Sequence, residues 1–389
     1  MRIDANFYGS VPMPDAGYGG PQPVDRRYGN DDFLACYKNL THWAKTMDRL
    51  GYDTMWLTEH HFQYEGYEVT PNLILFGLHL ARETQRLRLG QMFNIVPQWH
   101  PLRLAEDAAM MQILTDNRMQ FGVGRGTVPR EAQSLGGVVA SGDNEMSAKL
   151  DRLNREIFEE SMEIIRRAWT NERFSFSGKH FVLPPPGIPD RGSTVQDLTL
   201  VPKPIAPIEV WQAVTSSPTL DYCAGVRHSA VMHARGIAET KVWWDDFGNK
   251  AAAGGWDIGQ SEGRCLAINM HVGHTMEAAK RGARNAHDEW IRFLAPYGRF
   301  RAYRQPDGSP VPFGFMPTLE NTIEQDMMLI GSVDHCVDLM GRYRDEVGVE
   351  HFVLFFDMPG LTQEQMDQQL EMTATEVLPQ LGITLGNTT

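Results

Sequence analysis

Cysteine is scarce in this chain. There are four in 389 residues, Cys36, Cys223, Cys265 and Cys336, and no two form a CxxC pair. That spacing argues against a zinc ribbon and supplies no disulfide framework, so a reducing compartment is expected. Basic residues are outnumbered, with 36 Lys and Arg against 49 Asp and Glu and a formal charge of −13. Such a field repels duplex nucleic acid and anionic membranes. No apolar run is long enough to span a bilayer. The start, MRIDANFYGS, lacks a basic stretch followed by an apolar one, so no signal peptide is expected and the cytoplasm is the expected location. Internal repeats, low-complexity tracts and the Walker pattern are also missing. The one glycine-rich run, Phe121-Gly-Val-Gly-Arg-Gly126, has Thr127 where a dinucleotide fingerprint needs glycine.

What is present is a large apolar fraction, 42%, and a regular alternation of short apolar runs with amphipathic ones. Strands are expected at 2–7, 52–57, 86–96, 119–123, 208–213, 229–233, 264–271 and 352–356. Helices are expected at 31–50, 70–84, 101–115, 147–170, from 218, 239–253, 275–294, 333–347 and 363–378. In the first helix Phe33, Tyr37, Leu40, Trp43, Ala44, Met47 and Leu50 make one apolar stripe, with Asn30 or Asp31 as cap and Gly51 as stop. Thr70-Pro71 reads as a cap and first turn. Gly90 inside a strand pattern signals close backbone approach. Residues 174–183 read as a small hairpin. Eight alternating units close most economically as a (β/α)8 TIM barrel with insertions, one domain over 1–389, with a doubly wound open sheet as the competing fold.

Chemistry is expected where strands end. The stretch GYDTMWLTEHHF carries an apolar strand into Glu59, His60 and His61. Adjacent histidines suit a shared metal poorly, since successive strand residues point to opposite faces, so no metal site is expected. One histidine is expected to line a pocket as a base, or else to satisfy a buried partner. Arg125, between Gly124 and Gly126, can fork onto a phosphate or pair with a carboxylate such as Glu131. Thr215-Ser-Ser-Pro-Thr219, at a helix start, offers hydroxyls and free N–H groups to an anion, or an ordinary cap. Residues 10–30 read as a long ordered loop. Residues 296–317 hold Tyr297, Phe300, Tyr303, Phe313 and Phe315 and read as a lid over an apolar substrate.

In this order, GYDTMWLTEHHF, RLRLG, NIVPQWHPLRLAED, ILTDNRMQFGVGRG, IEVWQAVTSSPTLDYCA, IGSVDHCVDLMGRY and HFVLFF resemble the bacterial-luciferase-like flavin-dependent monooxygenases over nearly the whole chain. The resemblance implies a luciferase-like TIM barrel that uses reduced FMN and O2, through a C4a-peroxyflavin, to oxygenate a small apolar organic substrate. It implies His60 as the catalytic residue. The flavin site it implies comprises Glu59, a cis peptide at Met92-Phe93, Gly124, Arg125 at the phosphate, Thr215, and the hydroxyls of Ser216 and Thr219. It also implies a transient NAD(P)H:flavin reductase partner and a homodimer, for which the helices 31–50 and 70–84 are candidate faces. Gly124 replaces the family's cysteine and Thr215 its acidic residue, so light emission from a long-chain aldehyde is not expected. An F420-dependent oxidoreductase and a non-catalytic flavin-binding barrel are the alternatives, with a metal hydrolase a distant further one.

Overall fold

The computed structural model describes residues 1–140, 144–259 and 262–386. Eight parallel strands form the centre: β1 (Arg2–Phe7), β2 (Thr54–Leu57), β3 (Arg88–Gln91), β4 (Met119–Gly124), β5 (Val210–Val214), β6 (Ser229–His233), β7 (Arg264–Gly273) and β8 (His351–Phe355). Each pairs with the next, and β8 returns to β1, with Phe352 beside Ile3. The sheet is therefore a closed barrel, and the open-sheet alternative is excluded. Around it lie α1 (Asn30–Leu50), α2 (Leu73–Glu83), α3 (Pro101–Leu114), α4 (Glu145–Thr170), α5 (Ser217–Val226), α6 (Ile237–Ala253), α7 (Met276–Leu294), α8 (Val333–Arg342) and α9 (Gln363–Met372).

The barrel encloses polar as well as apolar side chains, because alternate residues of every strand point inward. Asp4 sits at the base, 3.0 Å from Arg2 Nε and 2.8 Å from both Trp56 Nε1 and His351 Nε2. Burial acts to raise its pKa, but Arg2 and His351 prevail and hold the carboxyl at about 2. Trp56 lies against Gly90 of β3, where a Cβ would come 2.3 Å from the indole. That contact is the close approach the strand glycine implied. Outward-facing residues meet the helices, as when Phe7 stacks on Trp43 of α1.

Several boundaries differ from expectation for identifiable reasons. The third strand is broken: β3 ends at Gln91, Met92-Phe93 is cis, and a two-residue strand, Asn94–Ile95, then pairs with β4. The cap of α1 is Gly29, whose N–H donates to Asp32 at 2.9 Å, rather than Asn30 or Asp31. Gly51 ends the helix at φ 94°, as expected. The helix expected from Thr70 starts at Leu73, capped by Asn72, whose side chain accepts from Leu75 N at 2.8 Å. Thr70 is instead engaged on the barrel wall, its carbonyl accepting from His60 N at 3.4 Å. The hairpin forms as Phe176–Ser177 with Val182–Leu183. A strand missed in the sequence, Leu329–Ser332, extends from the late half of β7.

The loop over 10–30 is ordered by one buried carboxylate. Glu289 of α7 accepts from Gly17 N at 2.8 Å, from Arg26 Nε at 3.0 Å and from Tyr67 Oη. The 296–317 stretch corrects an expectation. Phe300 and Tyr303 do not face a substrate; they pack with Ile291, Ala295 and Val311 into a small core of the loop's own. Tyr303 Oη also meets Thr322 Oγ1 at 3.0 Å.

Candidate active site

The carboxyl ends of β1, β2, β4, β5 and β8 bring the candidate groups to one mouth. β2 delivers His60. Its Nδ1 lies 3.0 Å from Glu131 Oε1, and its Nε2 lies 3.0 Å from Glu68 Oε2. Gln63 Nε2 steadies Glu131 with a 2.7 Å hydrogen bond. Burial draws the His60 pKa down, yet Glu68 and Glu131 outweigh it and raise it to about 9. Burial lifts Glu68 above the ordinary carboxylate range. Glu131 moves down, because the neighbouring His60 overcomes its own desolvation. Among the described residues no group of three or more His, Cys, Asp or Glu is disposed to hold a metal ion. Two carboxylates against one imidazole make the cluster one that can hold a proton.

His61 takes a different partner from His60 and meets Glu59 at 3.1 Å; both histidines lie beyond β2, so strand alternation does not set their directions. Glu59 was expected among the flavin-lining residues. Here both its oxygens are engaged, since it also accepts from Trp99 Nε1 at 3.1 Å and from Ile95 N at 3.3 Å. It braces the segment that follows the Met92-Phe93 cis bond. That bond packs Phe93 against β4, where a Cβ on Gly124 would lie 3.1 Å from Phe93 and one on Gly122 would lie 1.9 Å from the Gln91 carbonyl. Only glycine fits at Gly122, so the glycine-rich run serves close packing of two strands at the mouth.

Arg125 follows β4 and does not pair with Glu131, which His60 occupies. Its Nη1 donates to Asp151 Oδ1 at 2.9 Å and to Asn154 Oδ1 at 3.3 Å, both on α4. Val210 aligns with Phe121 in the β4–β5 register, which continued to the strand ends sets Arg125 beside Val214. Ser216 then lies two residues beyond, at the start of α5, and its Oγ is 2.9 Å from Thr219 Oγ1. No side-chain cap bond forms at that helix start, so the ordinary capping use of Ser216 is not realised. Thr215 is exposed and Thr219 buried.

Sequence reasoning missed other groups at this end. Asn6 of β1 is buried with both amide atoms unpartnered. Its inward position follows from Arg2, Asp4 and Asn6 recurring at every second residue, a signal that was legible. Asp357, beyond β8, accepts from Tyr8 N at 2.8 Å and Gly9 N at 2.9 Å, and burial raises it to about 8. Arg299 reaches from the 296–317 loop to Thr127 Oγ1 at 2.8 Å. No local pattern announced Glu68, Asp357 or Arg299, whose places depend on long-range packing.

A closed parallel barrel with its polar cluster at the carboxyl end is the architecture of a barrel enzyme, and the relatives support an oxidoreductase. The family model described as luciferase-like monooxygenase matches residues 17–351, and the chain belongs to that family. Among its relatives is 4-hydroxyprotoasukamycin monooxygenase of Streptomyces nodosus subsp. asukaensis, 25% identical over 373 residues, covering 93% of this chain and 91% of that one. Among solved structures, the oxygenating constituent of 3,6-diketocamphane monooxygenase of Pseudomonas putida, in complex with FMN, superposes with TM-score 0.74 at 19% identity over 97% of this chain and 98% of that one. An F420-dependent secondary alcohol dehydrogenase shares the fold at TM-score 0.61 and 13% identity, covering 98% of this chain and 99% of that one. Among the described residues no helix is long and apolar enough to cross a membrane.

Proposed function

We propose that the protein is the oxygenase of a two-component system that takes reduced FMN from a separate NAD(P)H:flavin reductase and oxygenates a small apolar compound with O2. The observation that supports this reading is the register of β4 and β5, which brings Arg125 level with Val214, two residues before Ser216, whose hydroxyl meets that of Thr219. The residues present fit a flat phosphorylated cofactor. Asn6 has an amide with no partner, and Arg125 with the Ser216 and Thr219 hydroxyls suits a phosphate.

When bound, reduced FMN supplies the electrons that activate dioxygen, chemistry that side chains lack. The chain's own part is positioning and proton handling. Arg125, Ser216 and Thr219 hold the phosphate, with Thr215 at the edge. Met92, Phe93 and Gly124 line the ring's side of the mouth, and Glu59 fixes their backbone from behind. His60 holds or moves a proton at Nε2, a contribution typically worth about 10²–10⁴ in rate. The 296–317 loop keeps water out as a lid. A homodimer through α1 and α2 fits the exposed Leu34 and Leu75, although most of the α1 stripe is spent on the core.

The deciding experiment is an oxygen-uptake screen with enzymatically reduced FMN across aldehydes, ketones, aromatic and terpenoid compounds. Substrate-dependent uptake with an oxygenated product is expected. Hydride transfer to or from F420, with none of this, would replace the reading by the F420 one. Tight FMN binding with no uptake for any compound would leave a binding barrel.

A further inference from the structure

His60 faces two carboxylates at once, Glu131 at Nδ1 and Glu68 at Nε2, each at 3.0 Å. A carboxylate can only accept, and a neutral imidazole has a single N–H to give. Nδ1 makes a hydrogen bond with Glu131 and Nε2 stands against the Glu68 oxygen as an ion pair, and both contacts are favourable only if the cluster carries one proton more than a neutral histidine and two carboxylates. Glu131 is also bonded to Gln63, whereas Glu68 meets no donor but His60 among the described residues. We infer that Glu68 is a positioning residue that shares this proton with His60 Nε2, so that His60 enters the reaction as a proton donor rather than as a base.

The surroundings agree. From the loop after α7, Arg299 acts on His60 and opposes the charge. Tyr8, just after β1, and Asp357 beyond β8 lie toward Glu68, and the carboxyl of Asp357 is itself held largely neutral by burial. On the strand end, Glu59 and His61 are paired with each other, and Arg130 of the short helix 129–134 is taken by Glu65 at 2.7 Å. His60 as a whole is pushed up to about 9. In the step, the Nε2–H bond breaks and an O–H bond forms on an oxyanion or departing oxygen of the reacting partner. The imidazole is left neutral, still donating Nδ1–H to Glu131. A solvent proton entering through Glu68 restores it. The role in turnover rests on the proposed function; the shared proton does not.

The test is ¹⁵N NMR of histidine-labelled full-length protein, with His60 assigned by the loss of its signals in His60→Gln. Both ring nitrogens of His60 are expected in the imidazolium range at pH 7.5. Glu68→Gln should lower its titration midpoint by at least one unit, a tenfold change in proton affinity, and move the alkaline limb of the kcat–pH profile down with it. Glu68→Asp should restore much of both. A neutral His60 at pH 7.5 in the unaltered protein overturns the inference, as does a Glu68→Gln protein that titrates like the parent. If Glu68→Gln does not fold, the parent spectrum alone still decides. A charged His60 in a protein with no turnover on any substrate would overturn the monooxygenase reading and leave the shared proton supported.

Discussion

Arg299 donates to Thr127 Oγ1 at 2.8 Å, so the loop between α7 and α8 is fastened to the turn that carries Arg125. One hydrogen bond couples the cover of the barrel mouth to the proposed phosphate cradle. Flavin and substrate together should therefore slow proteolytic nicking within 296–317, and Arg299→Ala should lose most of that protection. Nicking rates that ignore both ligands would remove the lid role.

Arg125→Ala should weaken FMN binding about 10- to 100-fold, the usual worth of one charged hydrogen bond to a phosphate. Riboflavin, which lacks the phosphate, should bind parent and variant alike. Fluorescence titration with the two flavins separates a phosphate contact from a general loss of structure, because only the former distinguishes them.

His60→Ala should retain FMN affinity within a few-fold and lose about 10²–10⁴ in product formation. Product yield per flavin oxidised is the measurement. Undiminished yield would show that the imidazole takes no part.

Stability should fall as pH rises above neutral. The folded His60 titrates near 9 against an ordinary 6.5, so its stabilisation is complete below pH 6.5 and is lost as pH climbs through 9. At 1.36 kcal/mol per unit that loss is at most about 3 kcal/mol. Asp357, raised to about 8, adds loss over the range from 3.8 to 8. Urea unfolding at pH 6.5 and pH 9.5 should show the drop, and His60→Gln should show a smaller one. Equal slopes in the two proteins would mean that His60 is not elevated.

Gly90→Ala should cost about 1–3 kcal/mol, the range for an overfilled core, because the added methyl would lie 2.3 Å from the Trp56 indole. Trp56→Phe in the same background should recover part of it. Thermal melts of the three proteins test this, and an unshifted Gly90→Ala midpoint would show that the barrel interior can give way.

The eight-unit alternation, the closing glycine of α1, the close approach at Gly90 and the strand-end position of His60 were all legible in the sequence, because they follow from local periodicity and from backbone rules that act within a few residues. The polar inward face of β1 was equally local and was overlooked. Tertiary structure alone decided which partner each charged group takes. Glu131 went to His60 and Arg125 to Asp151, because the loops after β2 and β4 meet across the barrel mouth and α4 packs against the turn. It also decided that Phe300 and Tyr303 would fill a small core of the loop's own. Partner choice among like-charged candidates depends on distances through space between residues tens of positions apart, and no periodicity in the chain encodes them.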